Sequence, residues 1–305
     1  MAEKFSYSKL DTFSQCGFRY KLRYVDKHFV DTGGLATELG TAIHETEETI
    51  ANCIKGQQPI DYIGLKNKLI LKMMQFSYKY KVDFNTKDKS GRTTAEKVYG
   101  YLESGIYRLE NFLMANSHLT VSATEQEFNF TIQDVTFHGF IDRILYDSKH
   151  NSYIVQDIKT YAQPLERKKL ETPLQFVIYV LALMEMYNLT EEQITCSYDL
   201  PFCEQTQAAG TKGYLERGKE ELQKLLDDIH AGKFEPKPTP LCHWCEFCPT
   251  NPNQAEEAKN LCPYHSKWTK ENRTFEVGAK WEGLENHEQV LFEYVQCQNS
   301  ASDAV

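Results

Sequence analysis

Apolar and polar residues follow two different periods along the chain, and the change of period predicts helices first and a sheet afterwards. From Thr120 to Tyr161 apolar residues occupy every second position, in three runs separated by polar breaks at 133–134 and 148–151. Such alternation is typical of a β-meander. Four segments upstream show helical spacing instead: 6–25, 35–54, 61–82 and 93–117.

The pattern after the meander predicts further elements of both kinds. Residues 173–188 form a strongly apolar run of helical length, residues 194–202 favour a strand, and residues 214–234 indicate a charged amphipathic helix. This order predicts an α/β fold. We expect one composite domain with four parts: a helical region at 1–118, a core of sheet and helices at 119–235, a cysteine-rich region at 236–268 and an acidic tail at 269–305.

The composition is that of an ordinary globular protein, with 41% hydrophobic and 25% charged residues. No apolar run approaches the roughly 20 residues of a membrane helix, and the polar N-terminus is unlike a signal peptide. We therefore expect a cytoplasmic protein without membrane contact. The net charge of −9 argues against a general polyanion binder but allows a local basic lining. Candidates for that lining are Lys9, Arg19, Lys21, Arg23, Arg167, Lys168 and Lys169.

The stretch YIVQDIKTY, at 153–161, combines strand alternation with an acid and a base two residues apart. Asp157 and Lys159 project to the same side of such a strand, and Asp142 in the preceding strand can approach Asp157 across the hairpin. Two neighbouring carboxylates repel each other unless a cation lies between them, and a divalent metal with oxygen ligands meets that need. The lysine can then stabilise charge on a phosphate. The alternative is that Asp157 and Lys159 form a solvated surface ion pair. The D-x-K pattern is short, so taken alone it favours this alternative.

These residues belong to an ordered set of motifs: GTAIHE at 40–45, GFIDRI at 139–144, VQDIKT at 155–160 and QFVIY at 175–179. The set resembles the PD-(D/E)xK nuclease superfamily, in particular its RecB-like exonuclease branch, and is similar to CRISPR-adaptation and AddB-type nucleases. The resemblance covers residues 5 to about 265. Ile141 replaces the proline of the superfamily name, and this branch commonly has GxxD there. The resemblance implies a restriction-endonuclease-like core in which helices flank a mixed central sheet.

The resemblance also implies a role for each motif residue. The ligands of a Mg²⁺ or Mn²⁺ ion would be His44, Asp142, Asp157 and the backbone carbonyl of Ile158. Lys159 would be the catalytic lysine, while Gln175 and Tyr179 would line the site and position DNA. Imidazole suits Mg²⁺ poorly, so a histidine ligand favours Mn²⁺. Without the full set, His44 is equally a hydrated helix residue, and Gln175 and Tyr179 are a polar edge of a core helix.

Four of the nine cysteines cluster near the C-terminus: Cys242, Cys245, Cys248 and Cys262. In a reducing compartment such a cluster indicates metal ligands rather than disulfides, and a Cys₄ Zn²⁺ site is one interpretation. The resemblance implies another, a [4Fe–4S] cluster that ties the two ends of the chain together. Its ligands would be Cys16, Cys242, Cys245 and Cys262, with Cys248 as the alternative fourth. We favour the iron–sulfur interpretation.

The function that the resemblance implies is metal-dependent exonuclease action on single-stranded or frayed DNA. Recombination, repair or phage DNA processing in a prokaryotic or phage-infected cell would suit it, alone or with a recombination or helicase partner. Two alternatives are a non-catalytic DNA-binding subunit and a zinc-stabilised scaffold. The presence of Asp142, Asp157 and Lys159 together favours the enzyme. The chain carries no GxxxxGK[ST] motif, so we expect no ATP-driven motor.

Overall fold

The structure is a computed structural model of the 305-residue chain. It describes residues 3–28, 30, 34–80, 87, 91–132, 134–239, 242, 244–248, 251, 258, 261–262 and 264, and the backbone of 267–269 and 274–276. Two compact units divide the chain: Met1–Tyr7 with Gly34–Leu222, and Ser8–Gly33 with Gln223–Val305. Apart from the backbone of two short paired strands, Lys267–Thr269 and Thr274–Glu276, the predicted acidic tail lies outside the described residues.

The first unit is built on a mixed sheet whose strands are β1 Glu3–Phe5, β2 Leu119–Ile132, β3 Val135–Asp147, β4 Ser152–Ile158, β5 Ile194–Leu200 and β6 Gln205–Ala209. Strands β2, β3 and β4 form the antiparallel meander that the alternation predicts. Strands β4 and β5 run parallel, which requires a crossover connection, and β1 runs parallel to β3. The predicted α/β fold with a mixed central sheet is thereby confirmed.

Helices of the first unit flank this sheet. The helix bounds in the described parts of both units are α1 Tyr7–Gln15, α2 Gly17–Tyr20, α3 Leu35–Lys55, α4 Tyr62–Tyr80, α5 Thr94–Glu103, α6 Arg108–Ala115, α7 Arg167–Glu171, α8 Leu174–Tyr187 and α9 Tyr214–His230. Helix α3 begins after Gly34 and buries a stripe that includes Leu39, Ile43 and Ile50. Helix α8 is apolar on nearly all sides because it is buried in the core. Among the described residues, no helix is both long and apolar enough to cross a membrane.

Two local features of the β2–β3 hairpin bring its residues to the candidate site. A register shift between Val121 and Ala123 changes which residues of β2 face the core. Further along, a Cβ atom at Gly139 would lie 2.9 Å from the ring of Phe128, its partner across the ladder. Glycine therefore lets the buried Phe128 ring lie directly over β3, three residues before Asp142.

The second unit departs from the single opening helix that the 6–25 pattern predicts. Cys16 has extended backbone angles (φ −164°, ψ 112°) and separates α1 from α2, after which residues 21–25 continue as a π-helical turn. A Cβ atom at Gly17 would lie only 3.0 Å from the carbonyl oxygen of Lys233, so glycine allows this close approach. The break places the half-buried Cys16 between two helices.

Candidate active site and metal centres

The predicted carboxylates lie where the hydrogen-bonded ladder between β3 and β4 ends. Arg143 and Gln156 form the last pair of that ladder, so the next residues outward on the two strands are Asp142 and Asp157. One residue beyond the end of β4, the Lys159 N–H donates to the carbonyl oxygen of Asp199 in β5 (2.9 Å). The strand ends thus bring the residues of the GFIDRI and VQDIKT motifs together.

Asp157 is buried, with 1% of its surface exposed, and it contacts the predicted lysine directly. Lys159 Nζ lies 2.7 Å from Asp157 Oδ2 in a geometry that is not an aligned hydrogen bond. Oδ2 has no hydrogen-bond partner among the residues that the structure describes. Burial raises the pKa of Asp157 to about 6; the Lys159 charge opposes this shift, and the Asp142 charge adds to it. The carboxylate therefore still lacks part of the charge compensation that a buried anion needs.

Asp142 is held at the centre of a second group of ligand atoms. Its Oδ2 accepts a hydrogen bond from the N–H of Ile158 (2.6 Å) and lies 3.7 Å from Nδ1 of His44. Glu125 joins them: one ligand atom from each of His44, Glu125 and Asp142 lies within 4.8 Å of the others. Burial and the neighbouring Asp142 charge raise the pKa of Glu125. All three side chains line one open cleft beside the first turns of α3.

This donor set fits a divalent cation. Two half-buried carboxylates and one imidazole converge, and the buried Asp157 oxygen without an aligned hydrogen bond lies on the neighbouring strand. A cation would relieve the repulsion between Asp142 and Asp157 and the burial cost of both. Oxygen ligands suit Mg²⁺ and Mn²⁺, and the imidazole favours Mn²⁺. The superfamily to which the motifs point uses divalent metals.

Glu125 is the site residue that the motif analysis missed. It stands opposite Asp142 in the β2–β3 ladder, between the pairs Thr124–Arg143 and Gln126–Ile141, and it has a left-handed backbone (φ 42°). Like charges that face each other across a ladder are destabilising, so this pair also indicates a bound cation. A signal was available, because the hairpin register follows from the two-residue break at 133–134.

Gln175 and Tyr179 are both buried and are linked to Asp157 in the described structure. Gln175 Nε2 donates to the Tyr179 hydroxyl (2.8 Å), which lies 3.5 Å from Asp157 Oδ1. Tyr179 is 5% exposed and packs edge-on against Phe128. This environment suits the holding of the Asp157 carboxylate better than direct contact with a DNA base.

In the second unit, one pocket is lined by the five cysteines named in the sequence: Cys16, Cys242, Cys245, Cys248 and Cys262. Successive turns connect the middle three, since the Cys245 N–H donates to the carbonyl of Cys242 and the Cys248 N–H donates to that of Cys245. Backbone N–H groups of Lys237 and Thr239 donate to the sulfurs of Cys16 and Cys242. Such N–H···S contacts commonly surround cluster ligands.

The spacing of these sulfurs bears on the identity of the metal. Tetrahedral Zn–S bonds of ~2.3 Å require sulfurs about 3.8 Å apart. Among the described residues, no three cysteine sulfurs all lie within 4.8 Å of one another. Burial raises the pKa of both Cys245 and Cys262 to about 12, and the nearby Cys16 and Cys242 add to the shift of Cys262.

Several basic residues predicted to contact DNA are engaged elsewhere. Arg19 and Arg23 both form salt bridges with the buried Glu246, each with an N–O distance of 2.8 Å. Lys21 pairs with Asp26 (2.6 Å), and Lys9 lies over the rings of Tyr20 and Tyr24. These contacts engage Lys9, Arg19, Lys21 and Arg23 with acidic and aromatic neighbours, so a phosphate lining formed by these four residues stays a prediction. The remaining candidates are exposed on or beside the short helix α7: Arg167, Lys168 and Lys169.

Comparison with known proteins identifies a matching protein family and two similar solved structures. A model of the PD-(D/E)XK nuclease superfamily matches residues 4–250. No curated protein matches the chain. Similar solved structures include a candidate exonuclease from Eubacterium rectale, with 13% identity, a TM-score of 0.43 and coverage of 80% of this chain and 87% of that one. Another is SSO0001, with 18% identity, a TM-score of 0.26 and coverage of 58% and 77%.

Proposed function

The chain belongs to the PD-(D/E)XK nuclease superfamily, and we propose that it is a divalent-metal-dependent DNA exonuclease of the RecB-like branch. The observation that carries the proposal is the convergence of His44, Glu125 and Asp142 beside the buried Asp157–Lys159 pair. A nuclease needs negative ligands for a cation and a positive group for the phosphate, and this cleft offers both.

Each residue has a distinct task in this proposal. His44, Glu125, Asp142 and Asp157 bind the cation, which when present supplies Lewis-acid polarisation of the phosphodiester. The carbonyl of Ile158 is a further ligand, as the resemblance implies, while its N–H orients Asp142. The ammonium of Lys159 stabilises negative charge on the phosphate. Tyr179, supported by Gln175, fixes the Asp157 carboxylate.

We infer a single-stranded or frayed substrate from the surface around the cleft. Phe140, two residues before Asp142, is 53% exposed, and Tyr161, two residues after Lys159, is 45% exposed. Exposed rings beside a phosphate site can stack on unpaired bases, each worth roughly 1–3 kcal/mol. The acidic chain offers little for a stiff duplex, and of the exposed basic residues at α7, Arg167 already pairs with Glu171 (3.7 Å). Recombination, repair and phage DNA processing are pathways that suit such an activity.

We also propose that the cysteine pocket of the second unit holds a [4Fe–4S] cluster. Cys16, Cys242, Cys245 and Cys262 are the proposed ligands, because the resemblance implies this set and all four line the same pocket. Cys248 is buried, also lines the pocket and is the alternative. The wide spacing of the sulfurs supports four irons over a single Zn²⁺.

Cleavage of end-labelled single-stranded DNA tests the nuclease proposal. The linear strand should be shortened from an end with Mn²⁺ or Mg²⁺, and a closed circle of the same sequence should survive. Asp157→Asn should remove the activity. Asp147→Asn is the matched control, because Asp147 is another buried acid that lies on β3 outside the cleft.

Two outcomes would contradict the proposal in different ways. Equal cleavage of the closed circle and the linear strand would make the protein an endonuclease. Binding of DNA without cleavage under either metal would favour a non-catalytic subunit.

A further inference from the structure

Arg143 directly follows Asp142 in β3, yet it is 1% exposed. Its Nε donates to Oε1 of Gln156, its partner across the ladder, at 2.8 Å. Its Nη1 donates to Oε2 of Glu47 in α3 at 3.2 Å, and its Nη2 donates to Oδ2 of Asp199 in β5. One guanidinium therefore connects β3 to β4, to β5 and to α3. We call Arg143, Glu47, Asp199 and Gln156 the Arg143 network.

Two further side chains complete the hydrogen bonds of this network. The Tyr101 hydroxyl donates to Oε1 of Glu47 (2.7 Å), and Nη1 of Arg108 donates to Oδ1 of Asp199 (2.9 Å). Two arginines thus face two carboxylates, and each carboxylate oxygen has a donor. Such complete pairing is what a buried group of charges requires.

Each member of the network is closely linked to a residue of the nuclease cleft. Arg143 directly follows Asp142 in β3, and Gln156 directly precedes Asp157 in β4. Because side chains alternate along a strand, the two residues of each pair point to opposite faces of the sheet. Glu47 lies one helical turn after His44 in α3. The carbonyl of Asp199 accepts the hydrogen bond from the N–H of Lys159.

The energetic cost of burying these charges indicates that the main role of the network is not to stabilise the folded protein. Burying ions is expensive, and well-packed apolar residues in place of a buried ion pair are often as stable or more stable. Charged, directional partners do fix one register, which apolar contacts specify less strictly. We propose that Arg143 and Glu47 are positioning residues, which hold α3 and the strand ends so that His44, Asp142 and Asp157 converge on a cation. This inference rests on the proposed metal site.

The test compares Mn²⁺ affinity with thermal stability in the full-length protein. Arg143→Met alone should lower the Tm, because two buried acids lose a shared cation. Adding Glu47→Leu removes one of those acids and leaves the Asp199–Arg108 pair, so the Tm should recover. The Mn²⁺ affinity, measured from the EPR signal of free Mn²⁺, should stay about tenfold below that of the wild type, as expected when ligand support is lost.

The double variant separates positioning from a merely structural role. If its Mn²⁺ affinity returns to the wild-type level together with the Tm, the proposal is overturned. Should the double variant not fold, Glu47→Gln decides, because it preserves shape and leaves Arg143 paired with Asp199. That variant should lose Mn²⁺ affinity several-fold at an almost unchanged Tm, and an unchanged affinity would overturn the proposal. Asp147→Asn, on the same strand, should leave the affinity unaltered.

The readout also distinguishes this proposal from the proposed function. A wild-type protein that binds Mn²⁺ but cleaves no DNA would contradict the nuclease proposal and leave the positioning proposal standing. If the wild type cleaves DNA and the network variants keep wild-type Mn²⁺ affinity, the nuclease proposal stands and the positioning proposal is contradicted. A wild-type protein that binds no Mn²⁺ would overturn the positioning proposal, and cleavage with Mg²⁺ would then decide the nuclease proposal.

Discussion

The carboxylate cleft of the first unit and the cysteine pocket of the second are supported by different kinds of structure. The cleft takes its residues from β2, β3, the end of β4 and α3, and the Arg143 network supports these elements from within. The pocket takes its cysteines from a break between two helices and from successive turns near residues 242–262. The cleft is therefore formed by the fold, whereas we expect the pocket to gain order from the cluster proposed for it.

This difference predicts separate consequences for metal removal. Ligands on a preformed scaffold keep their positions without the cation, so its loss should stop chemistry and leave folding intact. Ligands on irregular chain segments gain order from the metal, because metal binding and folding are then one equilibrium. Variants of the two sites should accordingly change different measured quantities: cleavage for the cleft and Tm for the pocket.

The largest expected effect is loss of cleavage in Asp157→Asn. Asparagine keeps the shape but removes a ligand charge, and lost metal and phosphate stabilisation of several kcal/mol corresponds to a rate about a thousandfold lower or more. The Tm should change little, because the loss of the Lys159 ion pair is offset by relief of burial and of repulsion from Asp142. Single-turnover cleavage and thermal melts of the same preparation check both. A large fall in Tm would show that this site, too, depends on its charges for folding.

A smaller effect is expected from Glu125→Gln. The amide retains an oxygen ligand beside His44 and Asp142 but loses the charge, so Mn²⁺ affinity should fall roughly ten- to hundredfold. Excess Mn²⁺ should restore most of the cleavage rate, which it cannot do for Asp157→Asn. Glu127→Gln, at the exposed next position of the same strand face, is the matched control. Equal Mn²⁺ affinity in the two variants would remove Glu125 from the ligand set.

Much of the cleft was predictable because its residues are close together in local strand pairing. The meander, its two short turns and the i, i+2 spacing of Asp157 and Lys159 bring the motif residues to one strand end. Glu125 was predictable by the same logic: Ile132 pairs with Val135 across the turn, and Glu125 and Asp142 each lie seven residues further along their strands. The motif analysis did not extend the register that far.

Long-range partners were not predictable from local pattern. Nothing near Arg19 or Arg23 in the sequence indicates that both pair with Glu246, more than 220 positions away. An arginine in a strand usually faces solvent, yet Arg143 is buried because α3 and β5 supply its acidic partners. Such contacts depend on the tertiary arrangement, which periodicity and motif spacing do not specify.

The cysteine pocket should respond to substitution mainly through stability. Cys16→Ser removes a proposed cluster ligand, so anaerobically purified protein should lose its brown colour and most of its iron, and the Tm should fall by roughly 5–10 °C. Cleavage at a temperature below the transition should fall only a few-fold. Cys248→Ser is the matched control and should keep iron and colour. If Cys248→Ser loses iron and Cys262→Ser retains it, Cys248 rather than Cys262 is the fourth ligand.

The smallest expected effect concerns Glu246, which follows Cys245 and holds Arg19 and Arg23 beside the same pocket. Glu246→Gln leaves two arginines without their counter-charge, but both are partly exposed and can be hydrated. The cost should therefore be about 1–2 kcal/mol, or a Tm lowered by roughly 2–5 °C. Because the described cysteines of the pocket lie at a helix break and in turns, loss of this link should also make the proposed cluster easier to remove, seen as faster iron release to a chelator. Asp26→Asn is the control, because Asp26 pairs with Lys21 at the surface of the same segment. It should change neither the Tm nor the rate of iron release. An unchanged release rate in Glu246→Gln would mean that the bound metal alone organises the pocket, and would sharpen its contrast with the cleft.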